Sequence, residues 1–162
     1  MNRIARFERV SAARFAADWA AAFPDVPSPY ERLILPRRAT EGSAGYDFRA
    51  PLAFELPPGA SIALPTGMRA LIQPGWVLML FPRSGLGFKY RLQLNNTVGV
   101  VDADYSRADN EGHIFIKLTN AGERPLRVAE GEAFAQGVFL PFGITEDDAA
   151  EGRRTGGFGS TD

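Results

Sequence analysis

Apolar and polar positions alternate in two different rhythms along this chain. Between Ser11 and Phe23, the aromatic residues Phe15, Trp19 and Phe23 recur at every fourth position, which places them on one face of a helix. Ser11 has the side chain of an N-cap, Pro24 ends the pattern, and Arg14 and Asp18 are spaced for an i,i+4 ion pair. This aromatic face is expected to pack on the main domain or on a neighbouring subunit. Pro24, Pro27 and Pro29 then form a stiff connector.

From Tyr30 onward, short apolar runs are separated by Gly, Pro and Asn turns. Residues 32–35, 61–64, 67–72, 76–81, 113–119 and 133–140 read as β-strands. Pro57-Pro58-Gly59 and Gln73-Pro74-Gly75 supply turn residues where turn geometry needs them. Many short strands at close spacing predict an all-β fold, a jelly-roll-like sandwich or barrel, with an extra N-terminal α-helix. The expected organisation is a helix and connector over residues 1–29, a β domain over 30–143, and a Gly-rich C-terminal lid over 144–162. The lid begins with an acidic run that cannot fold on a core of its own.

Composition narrows the chemistry by subtraction. The 162 residues suffice for one domain with a core. Eighteen basic residues against nineteen acidic ones give none of the excess that marks a nucleic-acid binder. With no Cys and a single His, His113, thiolate sites, His-rich zinc sites and Cys nucleophiles are excluded. Acid–base work then rests on carboxylates, with or without a hard metal. No apolar run approaches the roughly 20 residues of a membrane span. Arg3, Arg6, Arg9 and Arg14 break up any secretory apolar region, so a cytoplasmic address is expected.

Four segments carry candidate chemistry, and the residues of each admit two readings. Pro82-Arg83-Ser84-Gly85-Leu86-Gly87 follows an apolar strand and is either a phosphate cradle or a plain strand-to-turn junction. The run from Gly99 to Tyr105 contains Asp102 and Asp104, either a general base holding water or an Asp-rich turn. Ala44-Gly45-Tyr46-Asp47 offers one carboxylate for a hydrated metal ion or for capping a turn. The C-terminus has Arg153, Arg154 and Phe158 among glycines, which suits either a lid over an anionic, ring-bearing ligand or a disordered tail.

Taken in order, these segments, together with residues 131–136, resemble the five motifs of the trimeric dUTPase family. The first is Ala44-Gly45-Tyr46-Asp47 and the second Pro82-Arg83-Ser84-Gly85-Leu86. The third runs from Asn96 to Tyr105, the fourth from Gly131 to Gln136, and the fifth from Gly156 to Thr161. The resemblance covers about Tyr30 to the C-terminus. It implies a homotrimer whose active sites are shared: one subunit supplies the first, second and fourth motifs, another the third, and the last its tail. It further implies magnesium-dependent hydrolysis of dUTP to dUMP and pyrophosphate.

Residue roles are implied by matching. Asp102 would activate the attacking water. Asn96 and backbone groups near Gly99 would read the uracil edge, and Tyr105 would pack under the deoxyribose and exclude a 2′-hydroxyl. Arg83, Ser84, Gly85, Gln136 and either Arg153 or Arg154 would hold phosphates. Asp47 would reach Mg2+ through water, and Phe158 would cover the base. Three departures stand out. Ser106 to Gly112 lengthen the loop where the family has Arg-Gly, leaving Arg107 as a substitute. Ala133 replaces the usual Arg of the fourth motif. The N-terminal helix lies outside the family core. A dCTP deaminase of the same fold, using a Glu near the third motif, and a non-catalytic nucleotide-binding regulator are the competing readings.

Overall fold

Strand alternation is plainest in Phe115–Asn120, where Ile116, Leu118 and Asn120 are buried and Lys117 faces out. The same logic, apolar residues inward and turn residues between, builds the rest. The structure is a computed structural model and describes residues 2–152 and Gly156. In chain order its elements are β1 (Ala5–Arg9), α1 (Ala12–Ala22), a 3-10 turn (Tyr30–Arg32), β2 (Arg37–Arg38), β3 (Tyr46–Arg49), β4 (Phe54–Leu56), β5 (Ser61–Pro65) and β6 (Met68–Ile72). Then come β7 (Trp76–Pro82), α2 (Ser84–Tyr90), β8 (Leu92–Leu94), β9 (Gly99–Val101), a 3-10 segment (Ala103–Arg107), β10 (Phe115–Asn120), β11 (Leu126–Val128) and β12 (Ala133–Pro141).

The largest sheet has the order β2-β3-β12-β7-β9, a second has β5-β10-β8, and β1-β6 and β11-β4 form two ribbons. Their pairings are antiparallel, and strands distant in sequence lie side by side, as in a jelly-roll-like β fold. Leu64, Leu78, Leu80, Leu92, Ile114, Ile116, Leu118, Leu126 and Phe134 fill the core between them. Each such side chain stabilises the fold by about 1.5–3 kcal/mol relative to exposure.

The helix forms as its sequence predicts. Ser11 Oγ accepts from the Arg14 amide at 3.1 Å, and the Phe23 amide closes on Trp19 O at 2.7 Å. Phe15 and Trp19 are buried, their rings stacked 5.4 Å apart, and the helix packs on the chain's own β5. Arg14 and Asp18 pair at 3.3 Å.

Two of the expected strands are revised, and β1, β2, β3, β4, β8, β9 and β11 are strands the sequence expectation did not contain. Residues 32–35 form no strand: Arg32 and Leu33 amides bond back to Pro29 and Tyr30 carbonyls, closing a 3-10 turn that aims Leu33 into the core. The strand expected from His113 starts at Phe115, because the His113 ring is taken up in a side-chain network. An additional strand, β1, pairs with β6 from Ala5↔Ile72 to Arg9↔Met68. Its charges concealed it in the sequence; Glu8 pairs with Arg69 at 2.7 Å and Arg6 at 2.9 Å. Arg153, Arg154 and Phe158 lie outside the described residues.

Candidate functional site

Three of the sequence motifs meet at one end of the large sheet. Asp47 on β3 stands opposite Gln136 on β12, which stands opposite Phe81 on β7. Directly opposed residues of antiparallel strands share a face, so these three form a row. Asp47 is largely buried, with 9% of its surface exposed. Gln136 Nε2 donates to Pro82 O at 3.4 Å, and its Oε1 lies where a Cβ on Gly45 would come to 2.6 Å. The absence of a side chain at Gly45 therefore leaves Gln136 its place beside the second motif.

The second motif turns sharply out of β7. Arg83 keeps extended backbone, its amide bonds to Phe134 O at 3.1 Å, and its carbonyl accepts from Leu86 and Gly87. Ser84 and Gly85 thus open α2 with amides that lack intrahelical acceptors, and both residues are exposed. Arg83, Ser84, Gly85, Lys89 and Arg127 line a cleft of about 430 Å3. The same cleft borders Ala133, where Arg127 brings a guanidinium already paired to Glu55 at 2.9 Å. Glu132 also lines the cleft and accepts from the Ala129 amide at 3.0 Å; against that one carboxylate, Arg83, Lys89 and the amides opening α2 suit the cleft to a polyanion.

The third motif forms elsewhere on the sheet. Leu94 and Thr97 bridge across Asn95 and Asn96, with Thr97 at φ 67 and its amide on Leu94 O at 2.9 Å. This tight hairpin holds Asn96 out towards solvent. Gly99 is buried against β7; a Cβ there would lie 2.9 Å from Leu80 Cβ. Asp102, half-buried, precedes the 3-10 segment, and the Tyr105 amide bonds to its carbonyl at 3.2 Å. Tyr105 is only 3% exposed; its hydroxyl donates to His113 O at 2.8 Å and accepts from Asn110 Nδ2 at 2.7 Å.

The chain does not bring Asp102 to the cleft. Val101 pairs with Leu78, so Asp102 stands level with Val77, five residues back from Pro82, where β7 ends just before Arg83. At strand rise, that separation is roughly 15–20 Å. Asp47, Arg83, Ser84, Gly85 and Gln136 therefore form one group within a chain, Asp102 and Tyr105 lie beyond the far end of β9, and Gly99, opposite Leu80, leads back towards the Asn96 hairpin.

Several residues near the third motif have roles that sequence reasoning missed. Glu111 accepts from the Ser11 amide at 2.7 Å and from Ser11 Oγ at 2.6 Å, and these bonds hold its carboxyl below the usual range. His113 is fully buried between Asp18, 2.6 Å from Nδ1, and the Gly67 amide, 2.8 Å from Nε2. Burial lowers its pKa, and Asp18 opposes that shift. No local sequence signal joins Ser11 to Glu111 or Asp18 to His113, about a hundred positions away. A more enclosed cavity of about 300 Å3, beside Leu33, Thr66 and Met68, is lined by Gly131 of the fourth motif and by Phe48 and Arg49 after Asp47, but by none of the residues assigned a role in substrate binding or catalysis.

No cluster of three or more His, Cys, Asp or Glu side chains suited to a metal occurs among the described residues. A lone carboxylate such as Asp47 fits a magnesium ion that keeps its waters and takes its remaining ligands from substrate phosphates.

Comparison with known proteins gives these positions a context. The dUTPase family model matches residues 31–162. The deoxyuridine 5′-triphosphate nucleotidohydrolase of Lactococcus lactis is 43% identical over 132 residues, covering 80% of this chain and 88% of its own. The enzyme of that name from Shigella sonnei is 43% identical over 141 residues, 82% of this chain and 90% of its own. The crystal structure of a Streptococcus mutans dUTPase superposes with a TM-score of 0.64 at 36% identity, covering 86% and 98% of the two chains. A Staphylococcus bacteriophage 80alpha dUTPase solved with dUpNHpp shares the fold at 20% identity and a TM-score of 0.66, covering 93% of this chain and 98% of its own.

Proposed function

The chain belongs to the dUTPase family and is a dUTP-hydrolysing enzyme, and from that premise we propose that it cleaves dUTP to dUMP and pyrophosphate at sites shared between subunits of a homotrimer. The observation that carries the shared site is the separation of Asp102 from Arg83, Ser84 and Gln136 along β7. A carboxylate that aims water at the α-phosphorus has to lie beside the phosphate cradle. One chain keeps the two apart, so one subunit offers the cleft and another offers Asp102.

In this reading, Asp102 accepts a proton from the attacking water. Arg83, the Ser84 hydroxyl, the Gly85 amide and the Gln136 amide group hold the triphosphate in line. The triphosphate carries about four negative charges that repel an incoming nucleophile, and Arg83 offsets part of them. Asp47 is suited to hold water on a phosphate-bound magnesium ion, which when present neutralises charge on the phosphates and the departing pyrophosphate. Asn96 and the backbone beside Gly99 recognise uracil at the tight hairpin. Tyr105 walls the sugar pocket against a 2′-hydroxyl. Arg153 or Arg154 and Phe158 close over the phosphates and the base, excluding water.

Deamination of dCTP is disfavoured by what Glu111 does. A catalytic Glu near the third motif is what that chemistry needs, and both carboxylate oxygens of Glu111 are engaged by Ser11. The test is a panel of dUTP, dCTP, dTTP and UTP with magnesium, reading pyrophosphate and ammonia together. Pyrophosphate from dUTP is expected. Ammonia from dCTP would favour the deaminase, and dUTP binding without turnover would favour a non-catalytic regulator.

A further inference from the structure

We propose that the N-terminal helix positions Tyr105 for sugar discrimination, acting through His113 and Glu111. This rests on the reading that Tyr105 walls the deoxyribose pocket. The helix α1 precedes residue 31, where the family match begins, yet its polar side chains reach the lengthened loop of the third motif.

Two bolts join them. At one, Glu111 adopts φ 60 and turns its carboxylate onto the Ser11 amide and hydroxyl, while Ser11 Oγ accepts from the Arg14 amide. Glu111 thereby extends the N-cap of α1. At the other, Asp18 Oδ2 lies 2.6 Å from His113 Nδ1, one turn beyond Arg14, which pairs with Asp18. The Gly67 amide donates to His113 Nε2, so that nitrogen is the acceptor and the proton sits on Nδ1, facing Asp18. Both edges of the imidazole are engaged, and Phe15 and Phe115 pack against the ring, centroids 5.9 and 4.6 Å away.

The loop passes this anchoring to Tyr105. The His113 carbonyl accepts from the Tyr105 hydroxyl, Asn110 Nδ2 donates to that hydroxyl, and the Gly112 amide closes on Asn110 Oδ1. Gly112, at φ 73, brings the loop so close to Tyr105 that a Cβ would lie 2.8 Å from the Tyr105 carbonyl and 2.6 Å from Ser106 Cα. The loop thus holds the Tyr105 hydroxyl and the helix anchors the loop at two points, in addition to the packing of the Tyr105 segment on β6 and β7. Steric rejection of a single hydroxyl requires its wall to be held within roughly 0.5 Å. Asp18, His113 and Glu111 are positioning residues in this sense; none is assigned a contact with substrate.

The test compares kcat/KM for dUTP and UTP in full-length variants, with thermal unfolding recorded for each. Asp18→Ala should lower the dUTP-over-UTP preference about tenfold, mainly through KM, because misplacement of a pocket wall weakens discrimination. Asp18→Asn keeps an oxygen acceptor for Nδ1–H and should retain the preference within about twofold. Glu111→Gln, at the exposed bolt, provides a second route should Asp18→Ala fold poorly, with an expected loss of about threefold. If Asp18→Ala and Glu111→Gln lower the melting temperature but leave the preference untouched, the helix is only a stabilising element and the proposal is overturned. Tyr105→Ala separates the two levels. If it erodes the preference while the helix variants do not, the proposal alone fails; if it too has no effect, the sugar role of Tyr105 fails and the proposal with it.

Discussion

His113 Nε2 accepts a hydrogen bond from the Gly67 amide at 2.8 Å, so protonating this imidazole would break a buried bond to the backbone. The folded protein holds His113 neutral, and burial lowers its pKa from the ordinary 6.5. In the unfolded chain the same His binds a proton below about pH 6.5. The unfolded state then binds more protons than the folded one, so this contribution to stability is present above that pH and declines as pH falls towards the depressed native pKa. Chemical unfolding between pH 8 and 5 should show this decline, and His113→Gln should flatten it. A wild-type profile already flat over that range would contradict the assignment.

A second acid step is expected from two carboxylates. Arg69 holds the Glu8 carboxyl below its usual 4.5, and Ser11 does the same for Glu111. Their contribution is present above pH 4.5 and lost as pH falls through the lowered native values. Both groups are half-buried and still reached by solvent, so the step should be shallow and should weaken at high salt. Unfolding midpoints at low and high ionic strength below pH 5 measure it.

Two glycines separate packing from substrate contact. Gly99→Ala drives a Cβ to 2.9 Å from Leu80 Cβ in the core and should destabilise by about 1–3 kcal/mol. Gly45→Ala meets only the tip of Gln136, which can swing aside. It should leave stability nearly unchanged and raise KM for dUTP. Denaturant melts and steady-state kinetics on the two variants read the contrast.

Removal of magnesium should abolish turnover without unfolding the chain. The reason is the donor set: among the described residues no three-ligand metal cluster contributes to the fold. Chelation is expected to leave the melting temperature within about one degree, since only ions bound by the free protein stabilise it. A large drop in melting temperature on chelation would reveal a structural ion.

The C-terminal arginines can be told apart by kinetics. Truncation before Arg153 should cut activity and leave the assembly state unchanged by sedimentation. Of Arg153→Ala and Arg154→Ala, the variant that loses the larger part of kcat/KM identifies the phosphate contact.

Much of the fold was legible because it follows local pattern. The aromatic spacing of Phe15, Trp19 and Phe23, the alternation in Ser61–Pro65 and the apolar run of Ala133–Pro141 are properties of short windows. The misjudged elements are those in which local pattern and tertiary context disagree. Leu33, Ile34 and Leu35 resemble a strand, yet only Leu33 enters the core. β1 carries Arg6, Glu8 and Arg9 and acquires strand character from β6 and the Glu8–Arg69 pair. At the site, the resemblance implied both the residues and their sharing between subunits, but not how far apart one chain holds Asp102 and Arg83. That separation depends on strand register, as does the meeting of Asp18 with His113.

The most direct test of the shared site mixes two inactive chains. Asp102→Asn retains the phosphate cleft, and Arg83→Ala retains the carboxylate. Denatured together in equal amounts and refolded, subunits that complement one another across an interface should recover about one quarter of the wild-type activity, the share of sites receiving both intact halves. Mixed oligomers that are verified by mass yet remain as inactive as either parent would contradict a site built from two chains.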